Sequence, residues 1–236
     1  MIKRKNCVPS QPLRYSHIIM IIKVCGLREP DNIRAIMQLN VDWIGLNFIA
    51  SDPRYVSQIQ SRAGIIPDYS SLLTLNHDAD AGKVKRVGVF ADDMPQTIVT
   101  RVYNYSLNLV QLDGDESPTM IRNLRATLQP DIQPNIQVIK TIRVSCEDYF
   151  AQCAQYDGVA DYLLFVTPDD TMPSLAILQK YNGTTPFLIG GIAPSDVPAI
   201  RSFSHPRFFG LSLDSHFESS PAVKDLAAIQ QFLGDD

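Results

Sequence analysis

Short runs rich in valine, isoleucine and leucine alternate with segments of helical period from Ile21 to the end of the chain. There are eight such runs, at residues 21–27, 42–49, 84–91, 107–114, 137–144, 161–167, 186–192 and 207–214. This alternation is typical of βα units, whose parallel strands are buried on both faces. Eight units favour a closed (β/α)8 barrel of the α/β class over a doubly wound sheet, which usually has about five or six strands.

Seven helices are predicted between these strands, and most begin with serine, aspartate or proline at the cap or in the first turn. They span residues 30–40, 94–106, 118–129, 147–156, 172–181, 194–203 and 221–233. The second connection, residues 55–83, is the least regular, and we expect its helix to be short or broken.

We expect residues 1–19 to form an unstructured extension and residues 20–236 to form the barrel. The extension is basic and contains proline, and the apolar stretch after it continues directly into the first strand. It therefore lacks the separate apolar core and cleavage site of a signal peptide. Met20 is a candidate start codon.

Charge and cysteine content exclude several classes of partner. The chain has a net charge of −4 and no basic cluster, which argues against nucleic acid or anionic lipid. It has no apolar run near the roughly 18 residues that cross a bilayer. Its four cysteines show no C-x-x-C spacing and its histidines no ligand spacing, so we predict a cytoplasmic protein without a metal site.

Cys25 ends the first apolar run and is followed at once by Gly26. A cysteine at the carboxyl end of a buried strand stands where barrel enzymes place their chemistry. The corresponding ends of the other strands are expected to bring further residues to the same face: Asp113, Val166, Gly190, Gly191 and residues 212–215.

Five groups of residues resemble phosphoribosylanthranilate isomerase, a barrel enzyme of tryptophan biosynthesis. They are Lys23-Val24-Cys25-Gly26-Leu27, Ser51-Asp52-Pro53-Arg54-Tyr55-Val56, Val87-Gly88-Val89-Phe90, Val110-Gln111-Leu112 with Gly114-Asp115-Glu116-Ser117-Pro118, and Glu218-Ser219-Ser220-Pro221 with Val223-Lys224-Asp225. They occur in the family's order and span nearly all of residues 21–233.

The resemblance implies an Amadori rearrangement of an aminoaldose to an aminoketose without metal or cofactor. An acid protonates the ribose ring oxygen, and a base then removes the proton from C2′ of the Schiff base. The family's pattern makes Cys25 the base and assigns the anthranilate carboxylate to Arg54. It also implies a phosphate site at Gly190 and Gly191, which Ser215 and His216 extend from the next strand.

The sequence departs from the family at the general acid. Val166 takes the place of the strand-six aspartate, and valine has no proton to donate. Candidate replacement acids are Asp113, which stands where the family usually has histidine, and the loop residues Asp169 and Asp170. Ser212 replaces another family aspartate, one that meets the anthranilate amine.

We therefore favour a phosphoribosylanthranilate isomerase, monomeric or homodimeric, whose turnover is reduced by the loss of that acid. Its substrate is a phosphorylated sugar joined to anthranilate. The alternative is a catalytically silent paralogue that binds a phosphorylated sugar or has a non-enzymatic role, because a fold does not by itself imply activity.

Overall fold

The eight predicted strands form a closed parallel barrel in which each strand pairs with the next along the chain. The computed structural model describes residues 20–57, 84–145 and 149–234. The strands are β1 (Ile21–Leu27), β2 (Trp43–Asn47), β3 (Lys85–Phe90), β4 (Leu109–Leu112), β5 (Gln137–Arg143), β6 (Tyr162–Val166), β7 (Phe187–Ile189) and β8 (Phe208–Leu213). This confirms the predicted (β/α)8 barrel.

The barrel closes where β1 pairs with β8, with Ile21 opposite Gly210 and Lys23 opposite Ser212. Because side chains alternate between the two faces of a strand, every second residue points into the barrel. The outward residues, such as Val24 and Leu211, are fully buried under the helices.

The interior of the barrel has an apolar layer beneath a polar one. Six side chains from β2 to β7 form the apolar layer: Trp43, Val87, Leu109, Ile139, Leu164 and Leu188. Above it, hydrogen bonds join Lys23, Gln111, Thr141 and Ser212. The polar layer lies toward the carboxyl ends of the strands, so it forms the floor of whatever site stands there.

Seven helices are described around the barrel. They are α1 (Pro30–Met37), α2 (Pro95–Tyr105), α3 (Pro118–Leu128), α4 (Tyr149–Tyr156), α5 (Leu175–Leu178), α6 (Val197–Ser202) and α7 (Leu226–Leu233). Proline fills the first turn of α1, α2 and α3, where its missing N–H costs no hydrogen bond. None of the helices in these described ranges is long and apolar enough to span a membrane.

Two helix predictions are wrong in extent. The chain after β8 forms two short antiparallel strands, β9 (Glu218–Ser220) and β10 (Val223–Lys224), so the last helix does not begin at residue 221. Ala222 has a φ of 69° between these strands, which no helix can include, and the side chain of Asp225 caps the helix at its true start.

The helix predicted at residues 172–181 is reduced to the four residues of α5. Residues 167–171 form a hydrogen-bonded turn, and the chain remains non-helical through residue 174. Residues 1–19, most of the second connection and Cys146 lie outside the described residues, so the predictions made for them stay predictions.

Candidate active site

A polar cavity of about 200 Å³ opens at the carboxyl ends of the strands. Its charged lining residues are Lys23, Asp113, Arg143, Asp170 and Asp214, and Gly190 and Gly191 form part of its wall. Small-molecule sites usually measure about 300–1,000 Å³, so the cavity is small for a ligand of that kind. The loop of residues 167–171 contributes to this, because it reaches over the cavity from β6.

Cys25 lies in the carboxyl-terminal half of β1, with only 3% of its surface exposed. A Cβ atom placed on Gly45, in the neighbouring strand, would lie 2.6 Å from the Cys25 Sγ, so the glycine leaves the room that the thiol occupies. The thiol is not part of the cavity lining, whereas Lys23, two residues earlier on the same face, is.

Burial raises the pKa of the Cys25 thiol above its usual value. The charge of Lys23 and its hydrogen bonding to the thiol oppose this and lower the pKa. The negative charge of Asp214 raises it, and Lys224 lowers it. A thiol in this position becomes a thiolate only with cationic help, and Lys23 gives the larger part of that help.

Lys23 is fully buried, and its ammonium group ends in the polar layer. The Nζ donates to Gln111 Oε1 at 2.5 Å and to Ser212 Oγ at 3.3 Å. Both partners are neutral, and no carboxylate of the described residues forms an ion pair with Lys23. A buried ammonium without a counter-ion is costly, and such groups concentrate at functional sites.

Asp113, Arg143 and Val166 meet on the β4–β6 side of the cavity. The Arg143 guanidinium donates to the Asp113 carboxylate at 2.8 Å and to the Asp113 carbonyl at 2.7 Å. Val166 pairs with Arg143 in the register of β5 and β6. The position that resembles the family's acid is therefore apolar and lies beside an arginine.

The loop of residues 167–171 crosses to the ends of β7 and β8. The hydroxyl of Ser215 donates to the Asp170 carboxylate. His216 Nε2 lies 2.8 Å from the Asp170 carbonyl, and because a carbonyl only accepts, this nitrogen is the donor. A Cβ atom on Gly191 would lie 2.3 Å from the Thr171 carbonyl oxygen, so the loop packs directly on that glycine. Asp169 points away from the cavity lining and is bound to Thr171.

Arg54 lies at the centre of a charged cluster beside the cavity. Its Nε and Nη2 both donate to Glu218 at 2.8 Å, while Nη1 has a longer contact of 3.5 Å with Asp52. These hydrogen bonds raise the pKa of Arg54. Asp214, 3.7 Å from Arg54 Nε, is also 3.3 Å from Lys224 Nζ, so two cations offset its charge at the mouth of the cavity.

The structure thus brings Asp113, Asp170, Gly190 and Gly191 to one cavity. Ser215 and His216 join it through the loop, and Cys25 lies next to it. Sequence reasoning gave no role to Lys23, Arg143 or Glu218. A role for Lys23 could have been inferred from the sequence, because it is a charged residue within an apolar strand and lies on the same face as Cys25. No cluster of acidic, histidine or cysteine side chains in the described part of the chain could hold a metal ion.

A family model described as N-(5'phosphoribosyl)anthranilate (PRA) isomerase matches residues 22–235. The chain is 35% identical to the N-(5'-phosphoribosyl)anthranilate isomerase of Phocaeicola vulgatus over 221 residues, which cover 91% of this chain and 96% of the relative. It is 34% identical to the isomerase of Parabacteroides distasonis over 221 residues, covering 91% and 92% of the two chains.

Solved structures of the same enzyme share the fold. Phosphoribosyl anthranilate isomerase from Thermotoga maritima superposes with a TM-score of 0.71 at 23% identity, covering 91% of this chain and 97% of that one. A phosphoribosyl anthranilate isomerase in complex with reduced 1-(o-carboxyphenylamino)-1-deoxyribulose 5-phosphate superposes with a TM-score of 0.68 at 23% identity and the same coverage.

Proposed function

The chain belongs to the N-(5'-phosphoribosyl)anthranilate isomerase family, and from this premise we propose that it catalyses the family's Amadori rearrangement in tryptophan biosynthesis. The substrate is an aminoaldose that carries a carboxylate at one end and a phosphate at the other, and the product is an aminoketose. We propose further that the enzyme acts in the cytoplasm, as a monomer or homodimer.

The observation that carries this proposal is the pairing of Cys25 with Lys23, which forms part of the floor of the polar cavity. Cys25 is the base that removes the C2′ proton. It acts as a thiolate, and Lys23 stabilises that thiolate. A general base of this kind contributes roughly 10²–10⁴-fold to a rate.

The phosphate binds at the ends of β7 and β8. Gly191 has a φ of 67°, a conformation that favours glycine, and Gly190 and Gly191 present backbone to the cavity without side chains. The hydroxyl of Ser215 and the Nε2–H of His216 add two donors. Both donors are bound to Asp170 in the free protein, so phosphate has to replace Asp170 as their acceptor.

Arg54 holds the carboxylate of the anthranilate ring. Glu218 occupies the Nε and Nη2 edge of the guanidinium, but the long contact from Nη1 to Asp52 leaves that edge weakly bound. Nη1 is therefore the atom that donates to the substrate carboxylate. The two hydrogen bonds to Glu218 hold the half-buried guanidinium in a fixed orientation for this contact, which favours precise binding of a planar group.

A second candidate function is that of a silent paralogue, which binds the phosphorylated sugar without converting it. It is favoured by Val166, because the apolar side chain lines the cavity at the position of the family's acid. The two functions share a binding site and differ only in turnover.

Turnover of freshly generated phosphoribosylanthranilate, followed by loss of its fluorescence, tests the proposal. We expect turnover above background by the parent and none by Cys25→Ser, in which the hydroxyl is too weak a base. Equal turnover by the two proteins would exclude Cys25 as the base. A parent that binds the reduced product analogue but has no turnover is the silent paralogue.

A further inference from the structure

The reaction proposed above needs a proton donor at the ribose ring oxygen, and the carboxylates near the cavity are poorly placed to be that donor. Asp113 is held by Arg143 through its carboxylate and its carbonyl. The Asp170 carboxylate accepts from Ser215, and the Asp214 carboxylate is paired with the cations of Arg54 and Lys224, which favour its ionised form. Asp169 is not part of the cavity, and hydrogen bonds from Thr167 and Thr171 lower its pKa, which favours the form without a proton.

Lys23 differs from these carboxylates in its position relative to the cavity and in its hydrogen-bond partners. It is fully buried and yet lines the cavity, so its ammonium faces a ligand from below. Its side-chain partners Gln111 and Ser212 are neutral, and no carboxylate of the described residues pairs with it. Ammonium has three N–H groups, and besides Gln111 and Ser212 the Cys25 thiol is its third partner, so a bound ring oxygen takes the N–H that the thiol shares in the free protein.

We infer that Lys23 is the general acid of this isomerase and donates a proton from Nζ to the ribose ring oxygen. This assignment rests on the proposed function. As the ring oxygen takes the proton, the C1′–O4′ bond breaks, and the lone pair of the anthranilate nitrogen forms the C=N bond of a protonated Schiff base. Lys23 is then a neutral amine, and the substrate carries the positive charge.

The same pair of residues closes the proton balance. The Cys25 thiolate removes the C2′ proton, and the C2′–H electrons form an enol-amine, which neutralises the Schiff base. Lys23 is now an amine and Cys25 a thiol, and the two are neighbours. Transfer of the proton from Cys25 Sγ to Lys23 Nζ restores the thiolate and the ammonium, so neither solvent nor a third residue has to reset the site.

Lys23 therefore has two functions, which the substitution Lys23→Arg separates. Arginine keeps the positive charge that favours the Cys25 thiolate, but its guanidinium does not give up a proton at accessible pH. Lys23→Gln removes both the charge and the proton. Both variants are made in the full-length chain, and thermal unfolding is used to confirm that each is folded.

Two measurements are made on each variant: kcat and KM for phosphoribosylanthranilate, and the rate of alkylation of Cys25 by iodoacetamide, read for each cysteine by peptide mapping. Cys153 serves as an internal control, because burial raises its pKa to about 12. We expect Lys23→Arg to lose about 10²–10⁴-fold in kcat with little change in the alkylation of Cys25. Lys23→Gln should reduce both kcat and the rate of alkylation of Cys25.

Three outcomes would overturn the assignment. Lys23→Arg could retain the kcat of the parent. It could lose kcat and alkylation of Cys25 in proportion, which would make Lys23 only a positioning residue for the thiolate. Finally, Asp113→Asn or Asp170→Asn could reduce kcat as far as Lys23→Arg is expected to. A parent without turnover would instead remove the proposed function, and the role of Lys23 with it.

A rescue experiment covers the case in which arginine does not fit the buried site. Lys23→Ala leaves space for a small amine, so methylammonium in the assay should restore kcat in proportion to its concentration. Tetramethylammonium has the charge but no proton, and it should not restore turnover. Equal rescue by both cations, or rescue by neither in the folded variant, would contradict the role of Lys23 as an acid.

Discussion

At the scale of single residues, the site depends on small side chains that make room for reactive ones. Gly45 leaves the space for the Cys25 thiol, and Gly191 accepts the loop of residues 167–171. Val166 has the opposite effect, because it places an apolar side chain where the family has a carboxylate. The proposed mechanism assigns the chemistry to Cys25 and Lys23, which share one face of β1.

Gly45→Ala should displace the Cys25 thiol. The new methyl group would lie 2.6 Å from Sγ and 3.0 Å from Cys25 Cα. We expect a loss of about 1–3 kcal/mol in the free energy of unfolding, typical of overpacking, together with a large loss of kcat. Urea unfolding and the fluorescence assay measure the two effects.

Gly88→Ala is the matched control for this prediction. Its methyl group would lie 2.4 Å from Leu107 Cδ1, on the face of the barrel that packs under the helices. It should lose similar stability without changing the alkylation of Cys25. If both variants lose kcat to the same degree, overpacking anywhere in the barrel slows the enzyme and Gly45 has no special relation to the thiol.

At the scale of elements, the loop of residues 167–171 covers the proposed phosphate site. Asp170 binds Ser215 and His216 from this loop, and it lines the cavity together with Gly190 and Gly191. A carboxylate in this place satisfies the donors of an anion site while repelling the anion itself. The loop therefore has to release these contacts before a phosphorylated ligand binds.

Asp170→Asn should strengthen the binding of phosphate. The substitution removes one negative charge beside the anion and keeps a side chain of similar shape. We expect the inhibition constant of inorganic phosphate to fall about fivefold, which corresponds to about 1 kcal/mol for a like-charge contact in water. Asp169→Asn, outside the cavity, is the control and should leave the constant unchanged. Weaker inhibition in Asp170→Asn would show that the carboxylate orders the site instead.

At the scale of the whole molecule, the closure of the barrel places these residues opposite one another. Lys23 on β1 reaches Gln111 on β4 and Ser212 on β8, which are 88 and 189 residues away along the chain. The apolar layer below consists of buried side chains from six strands, with further hydrophobic residues packed against it. The floor of the cavity is consequently a polar layer above an apolar one, where charges interact strongly.

Gly210→Ala should weaken the closure between β1 and β8. A methyl group there would lie 2.2 Å from the Ile21 carbonyl oxygen, which cannot move without disturbing the strand pairing. We expect a loss of about 1–3 kcal/mol or more in the free energy of unfolding. Gly158→Ala is the control: that glycine has a φ of 72° and open space around it, so only the backbone strain of about 1–2 kcal/mol applies. Equal losses in urea unfolding would mean that the seam tolerates the methyl group.

The sequence by itself determined the number and order of the barrel strands, because the apolar period of each βα unit is local. It also placed five residues near the carboxyl ends of strands, because the apolar pattern shows where each strand ends. They are Cys25, Asp113, Val166, Gly190 and Gly191. It was less reliable after β6 and β8, where turns rather than periodicity end the elements. Ala222 illustrates this: nothing in an alanine indicates a positive φ.

Only the tertiary structure decided which of these residues have partners. Arg143 holds Asp113, Glu218 orients Arg54, and Asp170 binds Ser215 and His216, all across different strands or loops. No carboxylate among the residues that the structure describes pairs with Lys23. Such pairings depend on distances between parts of the chain that are far apart in sequence. The barrel fixes those distances only when it closes, with β1 paired to β8.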